Sequence, residues 1–219
     1  MSKSFVHLHA HTEYSMLDGA AKIQTYIDRV KELAQPAAAI TDHGNLYGAL
    51  EFYNIAKKNG VKPIIGYEAY ITTESRFERP DRDKNKRFHL TLLAENNEGY
   101  WNLVSLASKA FTDGYYYKPR LDYELLREHS KGVIALSGCL GGEIAQHLAP
   151  DGSVEEGNNQ GERSYQKALD KAVLYQNIFG EENFYIELHN HGIKQQELIL
   201  PDLLKISNEI SAPLVATND

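Results

Sequence analysis

Near its start the chain reads Phe5-Val6-His7-Leu8-His9-Ala10-His11-Thr12, and Asp18 follows seven residues after His11. On an extended strand alternate side chains share a face, so His7, His9 and His11 project together at a spacing suited to gripping metal ions. Histidine has no strong preference for burial, and so dense a cluster needs a reason. The same residue types return later: His43 in Thr41-Asp42-His43-Gly44-Asn45, Glu68 in an apolar run, Cys139 in Gly138-Cys139-Leu140-Gly141-Gly142, then His189, His191 and Asp219. Mixed His, Asp, Glu and Cys ligands suit zinc or manganese better than calcium, which prefers oxygen alone. More ligands than one ion can use imply a cluster of ions. Ions about 3.5 to 4 Å apart clamp a phosphate and lower the pKa of a bound water towards about 7, which is the chemistry of phosphoester hydrolysis.

Positioning such residues requires a frame. Ile23, Tyr26, Ile27, Val30 and Leu33 recur at helical spacing, and Pro36 ends the run. A short apolar run over 37–41 leads into a helical segment reaching about Gly60. Strand signals follow over 62–72, carrying Glu68, then over 88–93, 133–137, 184–188 and 213–217. Between them fall helices over 98–110, 164–179 and 194–210; Pro201 is expected to kink or divide the last. With the run near Phe5 this makes seven strands, beginning near Phe5, Ala37, Lys62, Phe88, Val133, Phe184 and Pro213. Strand and helix in alternation mean parallel strands, either closed into a barrel or spread as an open doubly wound sheet.

In such folds active sites form at the carboxyl ends of strands. His9 and His11 end the first strand, His43 follows the second, Cys139 the fifth, His189 and His191 the sixth, and Asp219 the seventh. His89 stands at the start of its run and reads as core by spacing alone. Cys139 taken alone reads as a small buried hydrophobe, although its flanking glycines leave room for a close approach. His129 and His147 read as surface residues. Segments 73–87 and 150–163 stand outside the alternation and read as mobile surface loops. In the first, Glu74, Glu78, Asp81 and Asp83 interleave with the basic residues, which favours a solvated loop over a nucleic-acid contact.

The 219 residues make one domain, 42% hydrophobic and 24% charged, with no apolar run near the length that spans a bilayer. The start lacks a signal peptide, so the expected location is cytoplasmic. The lone Cys139 cannot form an internal disulfide, which agrees with a reducing compartment. A net charge of −7 argues against coating nucleic acid by bulk electrostatics. It leaves a nucleic-acid substrate open, because bound divalent ions supply positive charge locally. There is no internal repeat and no glycine-rich phosphate loop.

Leu8-His9-Ala10-His11-Thr12 with Asp18, followed by Thr41-Asp42-His43-Gly44-Asn45, resembles the polymerase and histidinol phosphatase (PHP) domain. More narrowly, His11-Thr12-Glu13-Tyr14-Ser15-Met16-Leu17-Asp18-Gly19, Pro63-Ile64-Ile65-Gly66, Tyr115-Tyr116-Tyr117-Lys118-Pro119-Arg120 and Ala216-Thr217-Asn218-Asp219 resemble the amino-terminal domain of bacterial replicative DNA polymerase III alpha subunits. The likeness runs from Phe5 to Asp219. It implies a single PHP domain over 1–219, a distorted seven-stranded parallel (β/α)7 barrel holding up to three divalent ions, Zn²⁺ and/or Mn²⁺. The implied ligands are His9, His11, Asp18, His43, Glu68, His89, Cys139 and Asp219, with a metal-activated water and no single catalytic side chain; His7 becomes a neighbouring residue. Implied too are 3′ to 5′ proofreading exonuclease activity and three partners: the DNA 3′ end, the rest of the polymerase alpha subunit and a proofreading exonuclease subunit.

Lys118, Arg120 and His191 are the residues expected to contact substrate. Lys118 and Arg120 could pair with a phosphate while the tyrosines beside them stack on bases, or the same stretch is an ordered loop stapled by aromatics. Two other functions stay open: a small-molecule phosphatase of the histidinol phosphate type, and a non-catalytic scaffold that docks a proofreading subunit. The family pattern continues with a further His two positions past the final Asp, so the domain is expected to be truncated at its carboxyl end, with one ion's shell incomplete.

Overall fold

A short strand buried on both faces has to be apolar throughout, and Ala37–Ile40 is: all four residues are buried. It forms β1 in a computed structural model that describes residues 5–16, 18–81, 85–149 and 163–219. The other strands are β2 (Lys62–Ile71), β3 (Phe88–Ala94), β4 (Arg120–Leu121), β5 (Val133–Leu136), β6 (Phe184–Leu188) and β7 (Leu214–Ala216). The helices are α1 (Ile23–Glu32), α2 (Ala49–Lys58), α3 (Asn97–Thr112), α4 (Tyr123–Glu128), α5 (Glu143–Leu148), α6 (Tyr165–Phe179) and α7 (Lys194–Ile210). One sheet runs in the order β1-β2-β3-β5-β6-β7, with β4 beside β2. Its two ends meet: Ala39 of β1 and Val215 of β7 share a cluster with Leu8, Leu93, Leu136 and Tyr185. A flat sheet could not bring them together, so the sheet curls into a distorted barrel around that cluster.

The expectation of parallel strands throughout is corrected at β3, which runs antiparallel to both β2 and β5. Parallel neighbours need a crossover, usually helical. The described residues between β2 and β3 contain no helix, so the chain turns back on itself there. β1 with β2, β5 with β6 and β6 with β7 do pair in parallel.

Residues 5–11 also depart from expectation, because they form no ladder strand. The amides of Ala39 and Thr41 donate to the carbonyls of His7 and Ala10, each at 2.9 Å. Carbonyls three residues apart break the alternation of two, so the three histidines do not share a face. His9 and His11 turn inward, while the His7 ring packs edge-on against Phe5, centroids 4.9 Å apart.

The excursion between β2 and β3 is anchored rather than loose. Arg76 is buried and its guanidinium meets both carboxylate oxygens of Asp122, at 2.9 and 3.0 Å. The Arg120 side chain donates to the carbonyls of Gly114, Arg76 and Glu78 and to Asn85 Oδ1, at 2.8–3.1 Å. Segment 150–163 lies almost wholly outside the described residues. Pro201 sits inside α7 without dividing it. The cost of an interior proline, about 3 kcal/mol, is outweighed by burial of Ile199, Leu203 and Ile206, at about 1.5–3 kcal/mol each.

Candidate metal centre

Buried hydrogen bonds aim the first ligands. Asp42 accepts from Thr12 N at 2.6 Å, Thr12 Oγ1 at 2.8 Å and Ser15 Oγ at 3.1 Å, closing the turn after His11. Ser15 Oγ lies 2.8 Å from His11 Nδ1 and accepts from the His43 amide at 2.9 Å. That assigns the Nδ1–H tautomer to His11 and leaves Nε2 facing inward. Past His43 the chain reverses at Gly44, φ +66°, where a Cβ would stand 2.9 Å from Pro119 and 3.0 Å from Tyr70. At Gly141 a Cβ would stand 2.9 Å from His89 Nδ1, so only glycine lets the Cys139 loop approach that ring.

The ligand atoms converge on Glu68, which is fully buried. Its Oε1 lies 3.1 Å from His89 Nδ1, 3.5 Å from His9 Nε2 and 3.6 Å from Cys139 Sγ. Its Oε2 lies 2.8 Å from His43 Nδ1 and 3.3 Å from His11 Nε2. Asp219 Oδ1 stands 3.1 Å from His11 Nε2, and Asp18 Oδ2 stands 2.6 Å from His43 Nε2. His89 belongs because β3 is reversed: the start of this strand lies at the end of the barrel where its neighbours finish.

Metal fits this donor set. His9 Nε2, His11 Nε2, His43 Nδ1 and Glu68 Oε2 are buried and make no hydrogen bond, although the last two are only 2.8 Å apart. Atoms that close without alignment direct their lone pairs at common points instead of at each other. Among the described residues four triads lie within 4.8 Å: His9, His11 and Asp219; His11, His43 and Glu68; Glu68, His89 and Cys139; and, behind His9, His9 with Glu187 and His189.

Without metal the charges are balanced by protons. Burial opposes ionisation of Glu68, yet His89 and His9 hold it well below the usual carboxylate range. Burial likewise opposes charge on His11, but the adjacent carboxylates of Asp219 and Glu68 raise it to about 9. His9 is raised well above its ordinary value by Glu187 and Glu68, again against burial. Burial and the Glu68 charge push the Cys139 thiol up. Divalent ions would replace these imidazole protons one centre at a time.

Imidazoles, carboxylates and a thiol gathered at one end of a curled α/β sheet define a PHP-type domain. The PHP domain family matches residues 7–191, and the chain belongs to that family. Its similar relatives are DNA polymerase III alpha subunits. That of Helicobacter pylori is 47% identical over 218 residues, covering 100% of this chain and 18% of the relative. That of Thermus aquaticus is 49% identical, covering 98% and 17%, and that of Deinococcus radiodurans 46%, covering 99% and 16%. The chain thus spans less than a fifth of the relatives it matches. A solved structure of a protein assigned as a metal-dependent phosphoesterase, from Bifidobacterium adolescentis, superposes with TM-score 0.57 at 14% identity, covering 98% of this chain and 87% of that one. At that identity the likeness supports the fold.

The residues expected to touch substrate fall in three different places. Lys118 Nζ donates to Tyr70 OH at 3.1 Å, and the Tyr70 ring stacks 5.7 Å from His43, so this cation is one ring away from the cluster. Arg120 is corrected: it is fully buried and its donors are spent on the excursion, so it cannot grip a phosphate. His191 is exposed, with its ring 5.3 Å from that of His189 and outside every triad of described residues. Sequence reasoning missed Asp42, Ser15 and Glu187. Asp42 sat within a quoted motif, whereas Glu187 lay in an apolar strand with no signal to mark it. Among the described residues no helix is long and apolar enough to cross a membrane.

Proposed function

We propose that this PHP domain hydrolyses phosphodiesters at the 3′ end of DNA, as a 3′ to 5′ proofreading exonuclease within a replicative polymerase alpha subunit, with up to three Zn²⁺ or Mn²⁺ ions. The observation that carries the reading is the set of buried, unbonded ligand atoms converging around Glu68. His9, His11 and Asp219 would hold one ion, His43 with His11 and Glu68 a second, and His89 with Glu68 and Cys139 a third, while Asp18 reaches the second through His43. Bound there, the ions supply Lewis-acid polarisation of a phosphoryl oxygen and a hydroxide source near neutral pH.

The chain's own residues do the rest. His11 and Glu68 each belong to two triads and so keep neighbouring centres in register. Lys118, held on Tyr70, offers its ammonium to an incoming phosphate, and His191 offers a second contact on the loop after β6. Each turnover adds one water across the last phosphodiester and releases a nucleoside monophosphate, so no co-reactant is needed. In this reading the domain works within a polypeptide like its polymerase III alpha relatives, and its proposed partners are the rest of that polypeptide, a docked proofreading exonuclease subunit and the DNA 3′ end, in the cytoplasm.

The test is elemental analysis of the purified chain, with hydrolysis of 3′-labelled single-stranded DNA and of histidinol phosphate across added Zn²⁺ and Mn²⁺. Metal-dependent release of nucleotides from DNA is expected. Phosphate release from histidinol phosphate alone would replace the reading with a small-molecule phosphatase. Bound metal with neither substrate cleaved would replace it with a scaffold.

A further inference from the structure

Glu187, on β6, is fully buried and stands apart from the three triads gathered at Glu68, in a fourth with His9 and His189 whose facing atoms are already hydrogen-bonded to one another. Its Oε1 accepts from His9 Nδ1 at 2.7 Å, from His189 Nε2 at 3.1 Å and from the Thr217 hydroxyl. Its Oε2 accepts from the Gly138 amide at 3.0 Å. Thr91 Oγ1 stands 3.2 Å from the same His9 nitrogen. With Nδ1 committed to a carboxylate, His9 has one nitrogen left, and Nε2 points at Glu68 Oε1 and Asp219 Oδ1, 3.5 and 3.7 Å away.

Glu187 therefore touches His9 directly, the residue before Cys139 through Gly138, and the residue two before Asp219 through Thr217. Those ligands come from three different parts of the barrel: the segment before α1, the end of β5 and the end of β7.

We propose that Glu187 is the positioning residue of this metal centre. It fixes the Nδ1–H tautomer of His9, aims Nε2 at the ion and strengthens it as a donor. Through Thr217 the same oxygen sets the approach of Asp219, so two ligands of one centre are registered on one atom. A carboxylate behind a ligating imidazole typically supports metal affinity by 10- to 100-fold. The proposal rests on the metal-binding half of the proposed function and is independent of which substrate is cleaved.

The experiment titrates Zn²⁺ and Mn²⁺ into the 219-residue chain and its Glu187→Gln, Glu187→Asp and Thr217→Val variants, with ¹⁵N shifts of His9 read in the Zn²⁺-loaded state. Glu187→Gln keeps the shape and removes the charge. It is expected to weaken one class of site by about 10- to 100-fold and to shift the His9 nitrogens, while metal-dependent protection of Cys139 persists. Glu187→Asp should recover part of the affinity. A purely structural glutamate would lower the melting temperature and leave affinity and His9 shifts alone; that result overturns the proposal. Should Glu187→Gln not fold, Thr217→Val decides: weaker binding at one class of site supports the proposal, unchanged binding overturns it. A wild-type chain that binds no metal overturns both readings, whereas one that binds metal and leaves DNA intact overturns only the exonuclease.

Discussion

Glu68 and Glu143 are both carboxylates with no exposed side-chain surface, and their surroundings differ in kind. Around Glu143 every interaction is a made bond: Tyr123 OH donates at 2.7 Å, Tyr175 OH at 2.7 Å, and Lys171 Nζ lies at 2.7 Å. Lys171 in turn donates to Tyr123 OH at 2.6 Å. Burial, reinforced by Glu143, pushes both phenols far above their usual range, so they stay donors at any ordinary pH. Around Glu68 the neighbours are as near, but His9 Nε2, His11 Nε2, His43 Nδ1 and Glu68 Oε2 make no hydrogen bond. A buried polar knot that satisfies itself joins α4, α5 and α6; one that does not is built for something else.

Substitution should separate the two most sharply. Glu68→Gln removes the ligand shared by two triads, so elemental analysis should find at least two fewer ions than in the wild type. Stabilisation by added metal, about 4 kcal/mol per ion at a thousandfold excess over Kd, should vanish for those ions in a thermal melt. A variant that keeps wild-type metal content would show that Glu68 is no ligand. Glu143→Ala should do the reverse. It leaves Lys171 and two phenols without their acceptor and should cost about 3–5 kcal/mol in urea unfolding, with metal content unchanged. Metal loss in that variant would dissolve the distinction.

The contrast also explains what was legible in sequence. His9, His11 and His43 are visible because histidines at strand ends stand out against apolar runs, and the α/β frame follows from alternating strand and helix, whereas its curling into a barrel is implied only by the family resemblance. The direction of β3 was not legible, because parallel order was inferred from the general rhythm although 73–87 carried no helix pattern. By spacing alone His89 reads as core for the same reason, and only the family resemblance puts it among the ligands. Arg120 was misread because a Tyr-rich basic stretch looks the same whether its cations face solvent or backbone carbonyls. Glu187 lies in an apolar stretch of sequence and Glu143 between Gly142 and Ile144, and most of their partners come from elements distant in sequence, which no local pattern reveals.

A smaller effect concerns pH. In the metal-free chain His11 is raised from 6.5 to about 9, so its protonated pairing contributes stability fully below 6.5 and loses it as pH rises through 9. The depressed Glu68 contributes in the opposite direction, present above its ordinary value of 4.5 and lost only in stronger acid. Metal-free melting temperatures should therefore fall from pH 6.5 to 9. Metal needs neutral imidazoles, so the gain from added Zn²⁺ should grow over the same window. Glu143→Ala should keep this pH dependence, displaced downward, and Glu68→Gln should flatten it. A metal-free chain equally stable at both ends of the window would mean the imidazoles carry no charge.

The finest difference is in the thiol. Cys139 is half-buried, its Sγ 3.6 Å from both Glu68 Oε1 and His89 Nδ1 and accepting from the Gly141 amide at 3.3 Å. Reactivity with an alkylating reagent follows the thiolate fraction, and burial beside Glu68 keeps that fraction low near neutral pH. The stripped chain should consequently react slowly, and faster as pH rises. Bound metal makes the sulfur a thiolate but occupies it, so the loaded chain should react more slowly still and show little response to pH. The two protections differ in slope against pH even where they agree in rate. Glu143→Ala should leave the metal-dependent part intact, since its knot does not reach the sulfur. Glu68→Gln should abolish that part and also ease ionisation by removing a neighbouring negative charge. Equal labelling of loaded and stripped wild-type chain across the pH range would make Cys139 a small buried side chain, and the third triad would shrink to Glu68 and His89.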